Sequence, residues 1–579
     1  MSVLRPHRSG WGILPSYFDA RGESQTIEPA TLVALQRALG GRAPLAGADA
    51  RTSAGRAAPA EPGYMPPVLQ DGRRLWMLMV QLYAVRSQGN WGHGDFGDLR
   101  KLVHVARQSG AAAVGLNPLH ALPPGQASPY SPSSRLFLNL LYIDVDAVPE
   151  FPGIEACGLS AEVSRLRRAE MVDYPAVRAV KLAALRAAYR AFRENGHAER
   201  RAAFERYQAS EGEPLARFAA FEALRERSGT PWRRWPANIP QPPAEDAGFH
   251  AFVQWCAHEQ LQDCADAAKA AGLPIGLYLD IAVGVDPDGA DTWIDRASFA
   301  SELSIGAPPD IYNPAGQDWG LVSFHPQVLI ETDFSAFRRM LRATMRYAGA
   351  IRIDHALGLN RLFLIPRAAK ATQGAYVQFP FEEMLAVVAQ ESRKQQCLVI
   401  GEDLGTVPEG VSQRLNAWGI WGYRVALFER EGDRFRHPER FPEHALVTFN
   451  THDLPTFSGW SSGHDLRMKA GIGVDAGETD AERSRAREAM TATLAGYDIG
   501  PELSFDTVVK YLARSRSQLL AVQIDDILEL ADQPNIPGTI DTHPNWRRRL
   551  PVDLEDFSRH AGLARVADVL TAEGRNAFR

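Results

Sequence analysis

Eight short apolar runs, separated by amphipathic helices, constrain this chain more than any other feature. They are WMLMVQLYAV (76–85), AAAVGLNPLH (111–120), PIGLYLDIAVGV (274–285), AIRIDH (350–355), CLVIGED (397–403), YRVALFE (423–429), ALVTFNTHD (445–453) and LLAVQIDD (519–526). Between them apolar residues recur at helical spacing. Leu99, Leu102, Val103 and Ala106 form one such face, and Phe334, Phe337, Leu341 and Met345 another. Strands alternating with helices indicate parallel strands joined by crossovers. Eight units predict a (β/α)8 TIM barrel, with its chemistry at the C-terminal strand ends. A doubly wound open sheet is the competing α/β fold, but no glycine-rich dinucleotide fingerprint follows the first run.

Residues 151–249 interrupt the rhythm. The segment DYPAVRAVKLAALRAAYRAFRENG carries start signals at Asp173 and Pro175, a stop at Gly196, and a stripe of Leu182, Leu185, Tyr189 and Phe192. A second helix with Phe218, Phe221 and Leu224 follows, then a Pro/Trp-rich stretch. The expected organisation is a small helical and linker region over 1–70, a barrel over 71–150 and 250–579, and a helical insertion over 151–249. In the first region PATLVALQRALGG reads as a helix closed by Gly40 and Gly41, followed by an Ala/Gly/Pro-rich linker.

With a net charge of −6 the chain has no basic excess, so nucleic acid is not an expected partner. Its four cysteines (Cys157, Cys256, Cys264, Cys397) show no metal-ligand or paired spacing, which fits a reducing compartment. The N-terminus has no apolar signal core, and the longest strongly apolar run is too short to span a bilayer, so a cytoplasmic protein without a membrane partner is expected.

Inside the fourth run, Arg352 and Asp354 stand two residues apart. They therefore share a face opposite Ile351 and Ile353. A buried ion pair is a weak source of stability, so a chemical use for the carboxylate is the first reading. On a barrel, Asp354, Glu402 and Asp453 end three different runs and share one rim. Two facing carboxyl groups suit glycosidic chemistry: one attacks the anomeric carbon, and the other donates and later accepts a proton. Metal binding is the rival use of these acids with His355 and His452, although no helical ligand pair supports it.

The ordered set RIDH, GEDLGTVP and THDLPT resembles the 4-α-glucanotransferases known as amylomaltases or disproportionating enzymes, a branch of the α-amylase superfamily. QLYAVRSQGNWGHGDFGDL, SPYSPSS, SIGAPPDIYNPAGQDWG, NIPGT and HPNW extend the likeness from residue 76 onward. The resemblance implies Asp354 as nucleophile, Glu402 as acid/base and Asp453 as the group that holds sugar hydroxyls and stabilises the transition state. It implies Arg352 as the cation that keeps Asp354 ionised and aimed, with His355 and His452 donating hydrogen bonds to the sugar. Ser128 and Tyr130 would form the donor-side wall. The segment 306–320 would be a lid, with Trp319 facing a pyranose ring and Asp310 and Gln317 bonding its hydroxyls. Asn535 is a further candidate, and Asp280 fits either a structural or a substrate-binding role.

By that resemblance the donors and acceptors are maltooligosaccharides or α-1,4-glucans, no cofactor or metal is expected, and a monomer or homodimer acts. Three departures stand out, one of them the short loop ALPPGQASPY. Trp91-Gly92-His93-Gly94-Asp95 replaces the Trp-Gly-Ile-Gly-Asp of many relatives, at a position expected to support the fold. An Ala/Gly/Pro-rich stretch stands where larger bacterial relatives carry an N-terminal β-sandwich. The acids alone serve a transferase or a related hydrolase or trehalose-forming isomerase, and the intact trio counts against a non-catalytic glucan binder; the family resemblance, above all in the lid segment, implies transfer.

Overall fold

The computed structural model describes residues 11–19, 23–41, 59, 61–309 and 315–579. Eight parallel strands close a barrel in chain order: β1 (Leu75–Val80), β2 (Ala113–Leu116), β3 (Gly276–Ile281), β4 (Ala350–Ile353), β5 (Leu398–Gly401), β6 (Ile420–Val425), β7 (Ala445–Thr448) and β8 (Leu519–Gln523). β8 pairs back onto β1, so no edge is left open. All eight apolar runs supply a barrel strand, and the open-sheet alternative is excluded.

Strand periodicity sorts the side chains. Leu75, Met77, Tyr278, Ala350, Leu398 and Ile400 fill the barrel interior, while Trp76, Leu78, Leu279, Ile351 and Val399 pack with the surrounding helices. Gly349, just before β4, is required by space, since a Cβ there would meet the Ile275 carbonyl oxygen at 1.7 Å. The helix Phe96–Ser109 shows how local chemistry sets the surrounding layer. Asp95 and Asp98 form a reciprocal capping box at its start, and left-handed Gly110 ends it.

Between β2 and β3 lie the helices Ser160–Arg168, Tyr174–Asn195 and Ala198–Ser228. Asp173 caps the second, its side chain accepting from the Ala176 N–H, and Gly196 follows its end. The third is kinked at Gly212, shortly before Pro214. One helix, Ala244–Ala270, then runs into β3 and packs against Phe96–Ser109. In this region His93 is fully buried, packed 5.0 Å from Tyr142 and 5.7 Å from Tyr174 between ring centroids. Burial, then the nearby Lys181, keeps it neutral, consistent with a role in the fold.

A second, five-stranded sheet was not anticipated. Its order is Gly12–Ile13, Ala375–Gln378, Arg361–Pro366, Leu303–Ala307 and Gln317–Leu321, all antiparallel. Four of its strands come from the connections after β3 and β4, which places it beside the C-terminal mouth of the barrel. Within the segment expected to form a lid, Gln317–Leu321 pairs antiparallel with Leu303–Ala307, while Asp310 lies outside the described residues. Gly306 permits the close pairing: a Cβ there would lie 2.0 Å from the Gln317 carbonyl oxygen. Pro29–Ala38 forms the expected N-terminal helix, and the short strands before it were not read from the sequence.

Candidate active site

Strand parity brings the charged residues together. Tyr278 and Ala350 point into the barrel, so Asp280 and Arg352, two residues further on, point the same way at the next level. The β3–β4 register sets Arg352 directly opposite Asp280. Nη1 of Arg352 donates to both Asp280 oxygens, at 3.0 and 2.8 Å. Nη2 lies 2.9 Å from Oδ1 of Asp354 and 3.9 Å from Oε2 of Glu402. Because both oxygens stand against one nitrogen, they are at most about 7 Å apart, which admits the roughly 5–5.5 Å of a retaining pair of carboxyls.

Glu402 is held on the other side by backbone. The N–H groups of His355 and Leu404 donate to its Oε2 and Oε1 at 2.9 and 3.0 Å. His355 has φ of 47°, a left-handed conformation uncommon for a residue with a side chain, and this turn aims its N–H at Glu402. Burial pushes the Glu402 carboxyl up to about 7, with Arg352 opposing and Asp354 adding to the rise. Burial also lowers the His355 imidazole, leaving it neutral near pH 7.

Asp453 completes the rim after β7 and keeps 42% of its side chain in contact with solvent. Enclosure by protein would raise its carboxyl, but His452 at 3.3 Å and the Asn535 amide, donating at 2.6 Å, hold it below the usual range. Conversely, burial would lower His452, and Asp453 outweighs burial and raises it. Tyr130 joins the two halves of the site. Its hydroxyl donates to Asp280 at 2.5 Å and stands 3.3 Å from Nδ1 of His452, on which its ring stacks at 4.6 Å.

Trp319 sits edge-on to His355 with ring centroids 5.4 Å apart, and its Nε1 donates to Gln317 at 3.1 Å. Ser128 is further back: its hydroxyl accepts from the Tyr130 N–H at 3.3 Å and so shapes the turn that presents Tyr130. Asp280 proves inseparable from the cluster, because its partner is the same guanidinium that touches Asp354. Trp546 was not assigned a role from the sequence, although the HPNW motif carries it. Its ring lies 5.2 Å from His452 and 5.5 Å from Tyr130, with a left-handed φ of 60°. Gln533 was also missed; its amide donates to the backbone carbonyls of Asp453 and Asn535 at 3.2 and 2.6 Å.

Among the described residues no group of three or more His, Cys, Asp or Glu side chains is placed to hold a metal ion. No helix among them is long and apolar enough to cross a membrane. The arrangement presents an ionic triad around one guanidinium, a carboxyl held near neutrality and an aromatic ring at the cleft edge. Such a set can exchange a proton with a leaving group while a second carboxylate attacks.

Comparison with known proteins gives the family and the fold. The family described as 4-alpha-glucanotransferase matches residues 80–554. A 4-alpha-glucanotransferase of Haemophilus influenzae is 36% identical over 564 residues, covering 89% of this chain and 80% of that protein. One from Mycobacterium tuberculosis is 36% identical over 551 residues, covering 86% and 75%. The crystal structure of amylomaltase from Corynebacterium glutamicum superposes with a TM-score of 0.85 at 28% identity, over 97% of this chain and 98% of that one. The amylomaltase from Streptococcus agalactiae in complex with acarbose shares the fold, with a TM-score of 0.73 at 20% identity over 87% and 100%. With a matched region that runs from β1 to beyond β8 and takes in every carboxylate of the cluster, the chain belongs to the 4-alpha-glucanotransferase family.

Proposed function

We propose that this protein moves α-1,4-glucan segments between maltooligosaccharides by double displacement, with Asp354 as nucleophile and Glu402 as acid/base. In the first step an Asp354 oxygen bonds to the anomeric carbon of the donor. The glycosidic bond breaks, and its oxygen leaves with the proton of Glu402. In the second step the 4-hydroxyl of an acceptor attacks the same carbon, Glu402 takes its proton, and the ester to Asp354 breaks. Configuration is retained because the carbon is inverted twice.

The observation that carries this reading is the meeting of Asp354 and Glu402 at Nη2 of Arg352, with Glu402 raised to about 7 so that it holds a proton to donate near neutral pH. Asp453, held by Asn535 and His452, grips hydroxyls of the sugar at the cleavage point and offsets the positive charge that develops on it; its contacts with both partners support this role. His355, His452 and Tyr130 border the carboxylate cluster and donate to sugar hydroxyls, while Trp319, beside His355 and bonded to Gln317, favours a sugar acceptor over water. Asp280 and Arg352 position the nucleophile.

The four free cysteines suit a cytoplasmic enzyme, working as a monomer or homodimer without nucleic acid, membrane or cofactor. Incubation with maltotriose tests the reaction. Transfer yields glucose and a ladder of longer oligomers at constant reducing ends. Rising reducing ends would instead mean hydrolysis, and non-reducing products an isomerase.

A further inference from the structure

The stretch TPWRRWPANIP, with the helix Ala290–Ile294 after β3, encloses a hollow of about 630 Å3 that none of the cleft carboxylates lines. Trp235 and Trp293 are half-buried at its wall, with ring centroids 6.1 Å apart, and both back onto Phe221 at 5.6 and 5.7 Å. Trp232 is structural: it is buried, donates to Thr292 at 3.3 Å, and carries the Arg296 guanidinium 4.3 Å above its ring. Arg217, Arg233 and Arg296 rim the hollow, and no carboxylate lines it.

We propose that this hollow is a second α-1,4-glucan-binding site, holding a stretch of chain away from the point of cleavage. Its volume lies within the roughly 300–1,000 Å3 typical of small-ligand sites. Glucose rings in such a chain show an apolar face of C–H groups and an edge of hydroxyls. Indole faces suit the first, and guanidinium N–H groups, which only donate, suit hydroxyl oxygens. Charge argues for a neutral ligand over an anion. Arg233 is already paired with Asp288 at 3.1 Å and Arg217 lies 3.7 Å from Glu213, leaving Arg296 alone with no carboxylate among the described residues.

The hollow is tied to the catalytic cleft by one loop. Arg233 donates to the Pro287 carbonyl at 3.3 and 3.1 Å, and the Asp286 N–H donates to the Pro132 carbonyl at 2.8 Å, two residues beyond Tyr130. A long glucan held in the hollow would raise the local concentration of its own segments at the cleft, an advantage that maltotriose is too short to share.

This inference rests on the proposed transfer between glucans, and the test separates the two. Trp235→Ala and, as a milder surface change, Arg296→Ala are compared with the parent protein by electrophoresis through gels containing amylose and by kinetics on amylose and maltotriose. Loss of one stacking ring is expected to weaken retardation and raise KM for amylose about tenfold, with maltotriose turnover unchanged. Arg296→Ala should shift both in the same direction by less. Unchanged retardation and unchanged amylose KM in both variants, with maltotriose still processed, overturn the second site while leaving the transfer reading intact. Binding of inorganic phosphate at the hollow, lost in Arg296→Ala and not displaced by maltoheptaose, overturns it in favour of an anion site. Failure of the parent protein to process maltotriose refutes the transfer reading, whatever the gels show.

Discussion

Arg352 grips Asp280 with one guanidinium nitrogen, at 3.0 and 2.8 Å, and Asp354 with the other, at 2.9 Å. This fork anchors Asp354, the proposed nucleophile, to a neighbouring strand. Lysine offers a single ammonium and cannot span both partners. Arg352→Lys is therefore expected to lower kcat at least about 100-fold with a folded protein. Arg352→Ala should in addition cost about 3–5 kcal/mol in urea unfolding, because buried carboxylates lose their counter-charge. Near-normal turnover in Arg352→Lys would count against the positioning role.

Replacing Asp354 by Asn should abolish transfer from every donor, because an amide oxygen cannot form the ester. The expected loss is at least about 10⁴-fold, with melting temperature little changed. Surviving turnover would remove Asp354 as nucleophile.

The pH dependence follows from Glu402. As the proposed acid it must be protonated in the first step, and burial holds that form up to about 7, so kcat/KM should fall as pH rises through 7. Stability moves in the same direction. The folded protein keeps this proton from the ordinary carboxylate range up to about 7, where the unfolded chain has lost it, so the Glu402 contribution weakens stability as pH rises through that window. Glu402→Gln should remove both trends: the variant is inactive, and its urea midpoint changes less between pH 5 and 8 than that of the parent.

Tyr130→Phe removes the hydroxyl that donates to Asp280 and borders His452, while keeping the ring stacked on His452. Leaving a buried carboxylate short of one donor costs about 1–3 kcal/mol, so kcat/KM for maltotriose should fall about tenfold or more. An unchanged kcat/KM would place the hydroxyl outside the working site.

Trp319→Ala opens the cleft above His355. Water should then compete for the ester to Asp354. Reducing ends, expected to stay constant in the parent, should accumulate during incubation with maltotriose, and KM should rise. A product ladder identical to that of the parent would show that Trp319 does not exclude water.

The sequence by itself determined the barrel and which charged residues stand at its strand ends. Apolar runs of strand length alternating with helical faces carry a local period, and that period survives the long segment between β2 and β3. The same alternation puts Arg352 and Asp354 on one face, and Asp173 and Gly196 bound a helix through backbone chemistry confined to a few residues. Only the tertiary structure decided that Asp280, 72 residues before Arg352, is its bidentate partner, since register between strands has no local signal. It alone also placed Trp546 beside His452, and it joined residues 12–13 to Ala375–Gln378 in a second sheet beside the cleft. Antiparallel pairing of segments hundreds of residues apart depends on where the barrel delivers their ends, and that is a property of the closed fold.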